Sequence, residues 1–202
     1  DLSLCANDAA TIKWVFAKNK KASTILLQNS QATKAAILAA LRKQFAKATK
    51  NDAILFFFSG HGSPGSLVCY DGQLEYQAIK NIMAKSKAKS KIIFADGCFS
   101  GKMRKEERSQ HNTSVPENLR NTEIMFFLSS RSEETSIERR DMKNGFFTAY
   151  LQRGLRGGAD ANKDRVVTAL ELFKFVSQGV KTISNDKQHP VMWGKFDNNM
   201  PV

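Results

Sequence analysis

The chain has 202 residues, 42% of them hydrophobic, and 31 Lys and Arg against 19 Asp and Glu give it a formal net charge of +12. That length fits one well-cored domain rather than two, and no apolar run approaches the roughly 20 residues a membrane span needs, so no membrane partner is expected. The positive charge admits nucleic acid, an anionic surface or acidic partners. The lysines are dispersed, however, apart from Lys80, Lys85, Lys87, Lys89 and Lys91, and no aromatic residues interleave these five. Nucleic acid is therefore not the expected partner, and a monomer is the expected state. Three cysteines, Cys5, Cys69 and Cys98, are too few and too scattered for a disulfide framework or a zinc site. They point to a reduced compartment, the cytoplasm being favoured, and to a functional thiol. No signal peptide is read.

In chain order, Asn7 or Asp8 is placed to cap a helix whose apolar face is Ile12, Val15 and Phe16, and Lys18 to Lys21 end it. Ser23 to Leu27 reads as a strand. Thr33 caps a periodic helix through Ile37, Leu38, Leu41 and Phe45. Ala53 to Phe58 is a buried strand that runs into Ser59-Gly60-His61-Gly62. Leu67 to Tyr70 is short and apolar, and Asp71-Gly72 is a turn signal. Leu74 to about Lys85 reads as a helix with Ile79, Ile82 and Met83 on one face. Ile92-Ile93-Phe94-Ala95 is a second buried strand, leading into Asp96-Gly97-Cys98-Phe99-Ser100-Gly101. Lys102 to Thr122 is polar, charged and broken by Pro116, the pattern of a long flexible loop. Ile124 to Leu128 is a strand ending in Ser129-Ser130, and Arg131 to Asn144 is polar again. Phe146 to Leu155 is a helix stopped by Gly157-Gly158, Thr168 to Ser177 is a helix, and Pro190 to Trp193 is a short terminal strand. Alternating strands and helices give an α/β chain, residues 1–202 in one domain, with a mostly parallel central sheet and helices on both faces.

Two of these strands carry chemistry at their C-terminal ends, where open α/β sheets place their sites. One delivers His61 between glycines, the other Cys98 in a glycine turn. A cysteine nucleophile needs a thiolate, a proton donor for the leaving amine and donors for the oxyanion. Cys98 and His61 supply the first two if their strands are neighbours. Gly62 lets its backbone N–H approach a substrate carbonyl unobstructed, and the N–H of Cys98 is the second oxyanion donor.

Ser59-Gly60-His61-Gly62 followed by Asp96-Gly97-Cys98-Phe99-Ser100-Gly101 resembles the caspase-like cysteine peptidases, most closely their bacterial, metacaspase-like (orthocaspase-type) branch. Leu4-Cys5-Ala6-Asn7-Asp8-Ala9 resembles the family's N-terminal segment of cysteine, two residues and aspartate. Ser129-Ser130 through Glu134-Thr135-Ser136, Asn144-Gly145-Phe146-Phe147-Thr148 and Gln188-His189-Pro190 resemble later parts. The resemblance implies a caspase-like (caspase-haemoglobinase) fold and peptide-bond hydrolysis by a Cys98–His61 dyad. It also implies cleavage after Arg or Lys, with Asp96, Asp8 and Ser59 lining the pocket for the basic side chain, and so protein or peptide substrates with basic residues. Two carboxylates neutralising a guanidinium agrees with the chemistry. Phe99 stands where the family usually has histidine, and Gly97 where it usually has alanine. Family members open with an apolar strand ahead of Leu4–Asp8, which is expected upstream of residue 1.

Arg104, Lys105, Arg108 and Arg120 lie where relatives are cut during maturation, so self-processing in the 102–122 loop is an expectation. No cofactor is required by the dyad. Calcium is one further candidate, because Asp160, Asn162, Asp164, Thr168 and Glu171 fall at positions 1, 3, 5, 9 and 12 of an EF-hand pattern, with Arg165 where glycine is wanted. The acidic calcium site of many metacaspases has no clear counterpart around Asp71. The alternatives to a peptidase are a catalytically silent caspase-like scaffold or adaptor, and a basic nucleic-acid-binding domain.

Overall fold

The computed structural model describes residues 3–63, 65–97, 123–131, 134, 136–139 and 141–202. Cys98 and the 102–122 loop, with Arg104, Lys105, Arg108 and Arg120, lie outside the described residues. In chain order the elements are α1 (Cys5–Ala17), α2 (Lys34–Phe45), β1 (Ala53–Ser59), β2 (Gly62–Ser63), β3 (Ser66–Cys69), β4 (Gly72–Glu75), α3 (Tyr76–Lys85), β5 (Ser90–Asp96), β6 (Met125–Leu128), α4 (Phe146–Arg153), α5 (Ala169–Ile183) and β7 (Val191–Trp193).

The central sheet runs β1-β5-β6-β7; β1, β5 and β6 are parallel and β7 is antiparallel to β6. Alternation along the strands splits the interior in two, because successive side chains point to opposite faces. Ile93 and Phe126 pack with Ile37, Leu41 and Phe45 of α2 and Ile79 and Met83 of α3. Ile92, Phe94, Met125 and Phe127 pack on the other face with Ile12 of α1, Phe147 and Leu151 of α4, and Leu172, Val176 and Val180 of α5. This is an α/β architecture with a mostly parallel sheet and, among the described residues, five α-helices shared between the two faces. β2, β3 and β4 form a small antiparallel sheet, in which Cys69 pairs with Gly72 across the Tyr70-Asp71 turn.

Local signals set most element ends. Thr33 caps α2 by accepting the N–H of Ala36, and Thr168 with Glu171 forms a capping box at α5. Four expectations change. Ser23 to Leu27 joins no ladder with any described strand, and Ile25 stays 47% exposed. Leu74 belongs to β4, paired with Leu67, and the helix begins only at Tyr76. The last helix runs past Ser177 to Ile183, its Gly179 lying so close to Tyr150 that a Cβ would come within 2.1 Å of the ring. Asp8 does not cap α1, which Leu4 precedes; it lies inside the first turn with its carboxylate bonded to other elements.

Phe127 is fully buried and meets Phe94, Phe147 and Phe173 edge-on at centroid distances of 6.0, 4.9 and 5.6 Å. Phe127→Ala is expected to lower unfolding free energy by about 3–5 kcal/mol, and Phe127→Leu by clearly less, in urea denaturation.

Candidate active site

The strand ends that carry the two motifs are adjacent. β1 and β5 pair in register from Ala53↔Ser90 to Ser59↔Asp96, and the ladder is extended when the N–H of Gly60 donates to the carbonyl of Asp96 at 3.0 Å. Gly60 is needed here because a Cβ would come within 2.7 Å of the Phe58 ring. His61 follows at once, exposed, with its carbonyl accepting from Val68 N–H at 2.8 Å; Gly62 opens β2 opposite Leu67. His189 is differently placed. Both ring nitrogens of His189 are engaged, by Glu134 at 2.8 Å and Asp186 at 3.0 Å, and His111 lies outside the described residues.

On β5, Gly97 is the last described residue before Cys98. Ser129, fully buried at the end of β6, grips it from both sides: its Oγ accepts from Gly97 N–H and donates to Gly97 carbonyl, each at 3.0 Å. Gln188, also fully buried, holds Ser129 in turn through a 2.8 Å bond to its carbonyl. Cys5 and Cys69 differ from a reactive thiol: burial before all else pushes each up to about 11, so both are protonated at neutral pH.

Asp8, Ser59 and Asp96 come together as one buried cluster. Asp8 Oδ2 accepts from Ser59 Oγ at 2.8 Å, and its Oδ1 accepts from Asn144 Nδ2 at 2.8 Å and Gly145 N–H at 3.2 Å. Asp96 Oδ1 accepts from Ser136 Oγ at 2.5 Å, and its Oδ2 accepts from Thr148 N–H at 3.1 Å and Thr148 Oγ1 at 2.7 Å. The two carboxyls are 1% and 4% exposed, and no Lys or Arg among the described residues pairs with either. Burial raises both groups; Asp8 is pushed up to about 7, first by burial and then by the charge of Asp96.

Ser136, Asn144, Thr148 and Ser129 were not legible as site residues. They stand in polar stretches or at a helix start, where a serine or asparagine ordinarily signals a turn. Only the fold brings them to a carboxylate or to Gly97.

The 160–171 loop has a left-handed residue at the expected place, Arg165 at φ 69°, at a cost of about 1 kcal/mol. Asp160 Oδ2 accepts from Arg165 N–H, Asp164 Oδ1 from Val166 N–H, and Glu171 from Ala161 and Thr168. Among the described residues no group of three His, Cys, Asp or Glu side chains is arranged to hold a metal ion. Nor is any described helix long and apolar enough to cross a membrane.

A search of the curated proteins finds no match. Among solved structures, the crystal structure of protein GSU0716 from Geobacter sulfurreducens superposes with a TM-score of 0.72 at 18% identity, covering 100% of this chain and 89% of that one. That likeness concerns the fold. The family described as the caspase domain matches residues 1–199, through the His61 and Cys98 motifs to the segment after β7. From the first helix to the last strand, then, the chain belongs to the caspase-domain family of cysteine peptidases.

Proposed function

We propose that this protein is a cysteine endopeptidase that hydrolyses peptide bonds after Arg or Lys. The observation that carries the reading is the buried pair Asp8 and Asp96, from the first turn of α1 and the end of β5, with no described cation to balance it. A substrate guanidinium or ammonium supplies that cation, whereas an aspartate side chain would be repelled.

In this reading the Cys98 thiolate attacks the scissile carbonyl carbon, and the carbonyl π electrons move to oxygen, where the N–H groups of Gly62 and Cys98 receive them. Collapse of that intermediate breaks the C–N bond as protonated His61 gives its proton to the leaving amine. Water then attacks the thioester, losing its proton to His61, and the acid departs as the thiolate is regenerated. Ser129 holds Gly97, the residue before Cys98, through both its N–H and its carbonyl. The same chemistry acts on the chain itself at Arg104, Lys105, Arg108 or Arg120, which makes it a self-processing enzyme. A silent scaffold is disfavoured because both dyad residues and the flanking glycines are present.

Peptides carrying Arg, Lys or Asp before the scissile bond separate the readings. Turnover of the basic peptides, abolished by Cys98→Ala and by His61→Ala, is expected; equal inertness of wild type and Cys98→Ala would favour the scaffold. Asp96→Asn removes one charged partner and is expected to raise KM for an Arg peptide about 10- to 100-fold, a charge-assisted bond contributing about 1.5–3 kcal/mol. KM for that peptide should fall as pH rises through about 7, where Asp8 ionises.

Stability should respond in the opposite sense. A carboxyl whose folded pKa is raised to about 7 binds more protons folded than unfolded below that pH, so its contribution to stability declines as pH rises from the ordinary carboxylate range through 7. Asp8→Asn is therefore expected to melt higher than wild type at pH 8, by a margin that shrinks towards pH 5.

A further inference from the structure

Asp8 and Asp96 cannot lie side by side out of water without donors, and α4 provides them from its first turn. Gly145 N–H donates to Asp8 and Thr148 N–H to Asp96, one backbone donor for each carboxylate. For both to reach, the entry of α4 must rest directly against the pair. The residue at that point is Gly145, whose φ of −55° and ψ of 154° suit any amino acid. What excludes a side chain there is space. A Cβ would come within 2.9 Å of Asp96 Oδ2 and 3.5 Å of Asp8 Oδ2. Asp96 has no freedom to yield, because Ser136 fixes one of its oxygens and Thr148 grips the other twice.

We propose that Gly145 is a positioning residue for recognition of the basic side chain: lacking a Cβ, it lets α4 close on Asp8 and Asp96 while one oxygen of each, Oδ2, faces the same point. The inference rests on the Arg/Lys reading of this site. A methyl group at position 145 either drives the Asp96 carboxylate off Thr148 or lifts the entry of α4 off Asp8. Both outcomes damage the seat for the cation and leave the strand ends carrying His61 and leading to Cys98 untouched.

The test compares wild type with Gly145→Ala on matched peptides with Arg or a neutral residue before the scissile bond, and measures Cys98 alkylation by iodoacetamide. Expected is a rise in KM for the Arg peptide of about 10-fold or more, the loss of one charge-assisted bond, with kcat within about twofold and alkylation unchanged. Melting of Gly145→Ala in the wild-type and Asp96→Ala backgrounds covers the case in which the single variant folds poorly. The methyl should destabilise the first and not the second, where the atom it meets is gone. Equal losses in both backgrounds, or an Arg KM within twofold of wild type, would overturn the role of Gly145 alone. A wild type indifferent to Arg and Lys would overturn the reading of the pocket, and the recognition role of Gly145 with it.

Discussion

Two like charges out of water, with no described cation beside them, are the constraint on which the rest of the site depends. Removing a lone carboxylate from water is costly enough that such a group ordinarily takes up a proton. Here Asp8 and Asp96 receive six hydrogen bonds from Ser59, Asn144, Gly145, Ser136 and Thr148. Those donors lower both groups, but burial outweighs them. In the proposed reading a positive substrate side chain relieves a repulsion that the fold has already imposed.

Holding that arrangement requires rigidity well beyond the site. Asp8 comes from α1, Ser59 from β1, Asp96 from β5, and the donors from α4 and the residues before it. These elements are fixed relative to one another by the apolar face that Ile12, Phe94, Phe127, Phe147 and Leu172 share. The Phe127 ring, edge-on to three others, links β5, β6, α4 and α5 at the level just beneath the carboxylates. On the same strand ends, Ser129 bonds Gly97 through its N–H and carbonyl, and Gln188 bonds Ser129 in turn.

Much of this was legible before any coordinates. The runs Ala53–Phe58 and Ile92–Ala95 read as buried strands and do pair in parallel, although β1 is fully buried only at Ile54 and otherwise half-buried or exposed. Asp8, Ser59 and Asp96 were singled out on resemblance and do meet. Other features were out of reach of local pattern. Ser23–Leu27 has the composition of a strand, but a strand exists only where another lies alongside it to exchange hydrogen bonds, and no described strand does so here. Leu74 fits a helix face as well as a strand, and only its pairing with Leu67 decides. Asp8 reads as a helix cap because capping is what an aspartate near a helix start usually does; its bonds to residues 51 and 136 positions away are invisible from its neighbours.

The sequence by itself determined most of the elements and the two faces of the sheet, and it puts the His61 motif directly after one strand and the Cys98 motif directly after another, because periodicity, capping and strand composition are properties of short stretches. The tertiary structure alone decided which polar residues serve the carboxylates and why Gly145 must lack a side chain. Charge compensation and close approach depend on distances between elements far apart in the chain, and no local pattern encodes those.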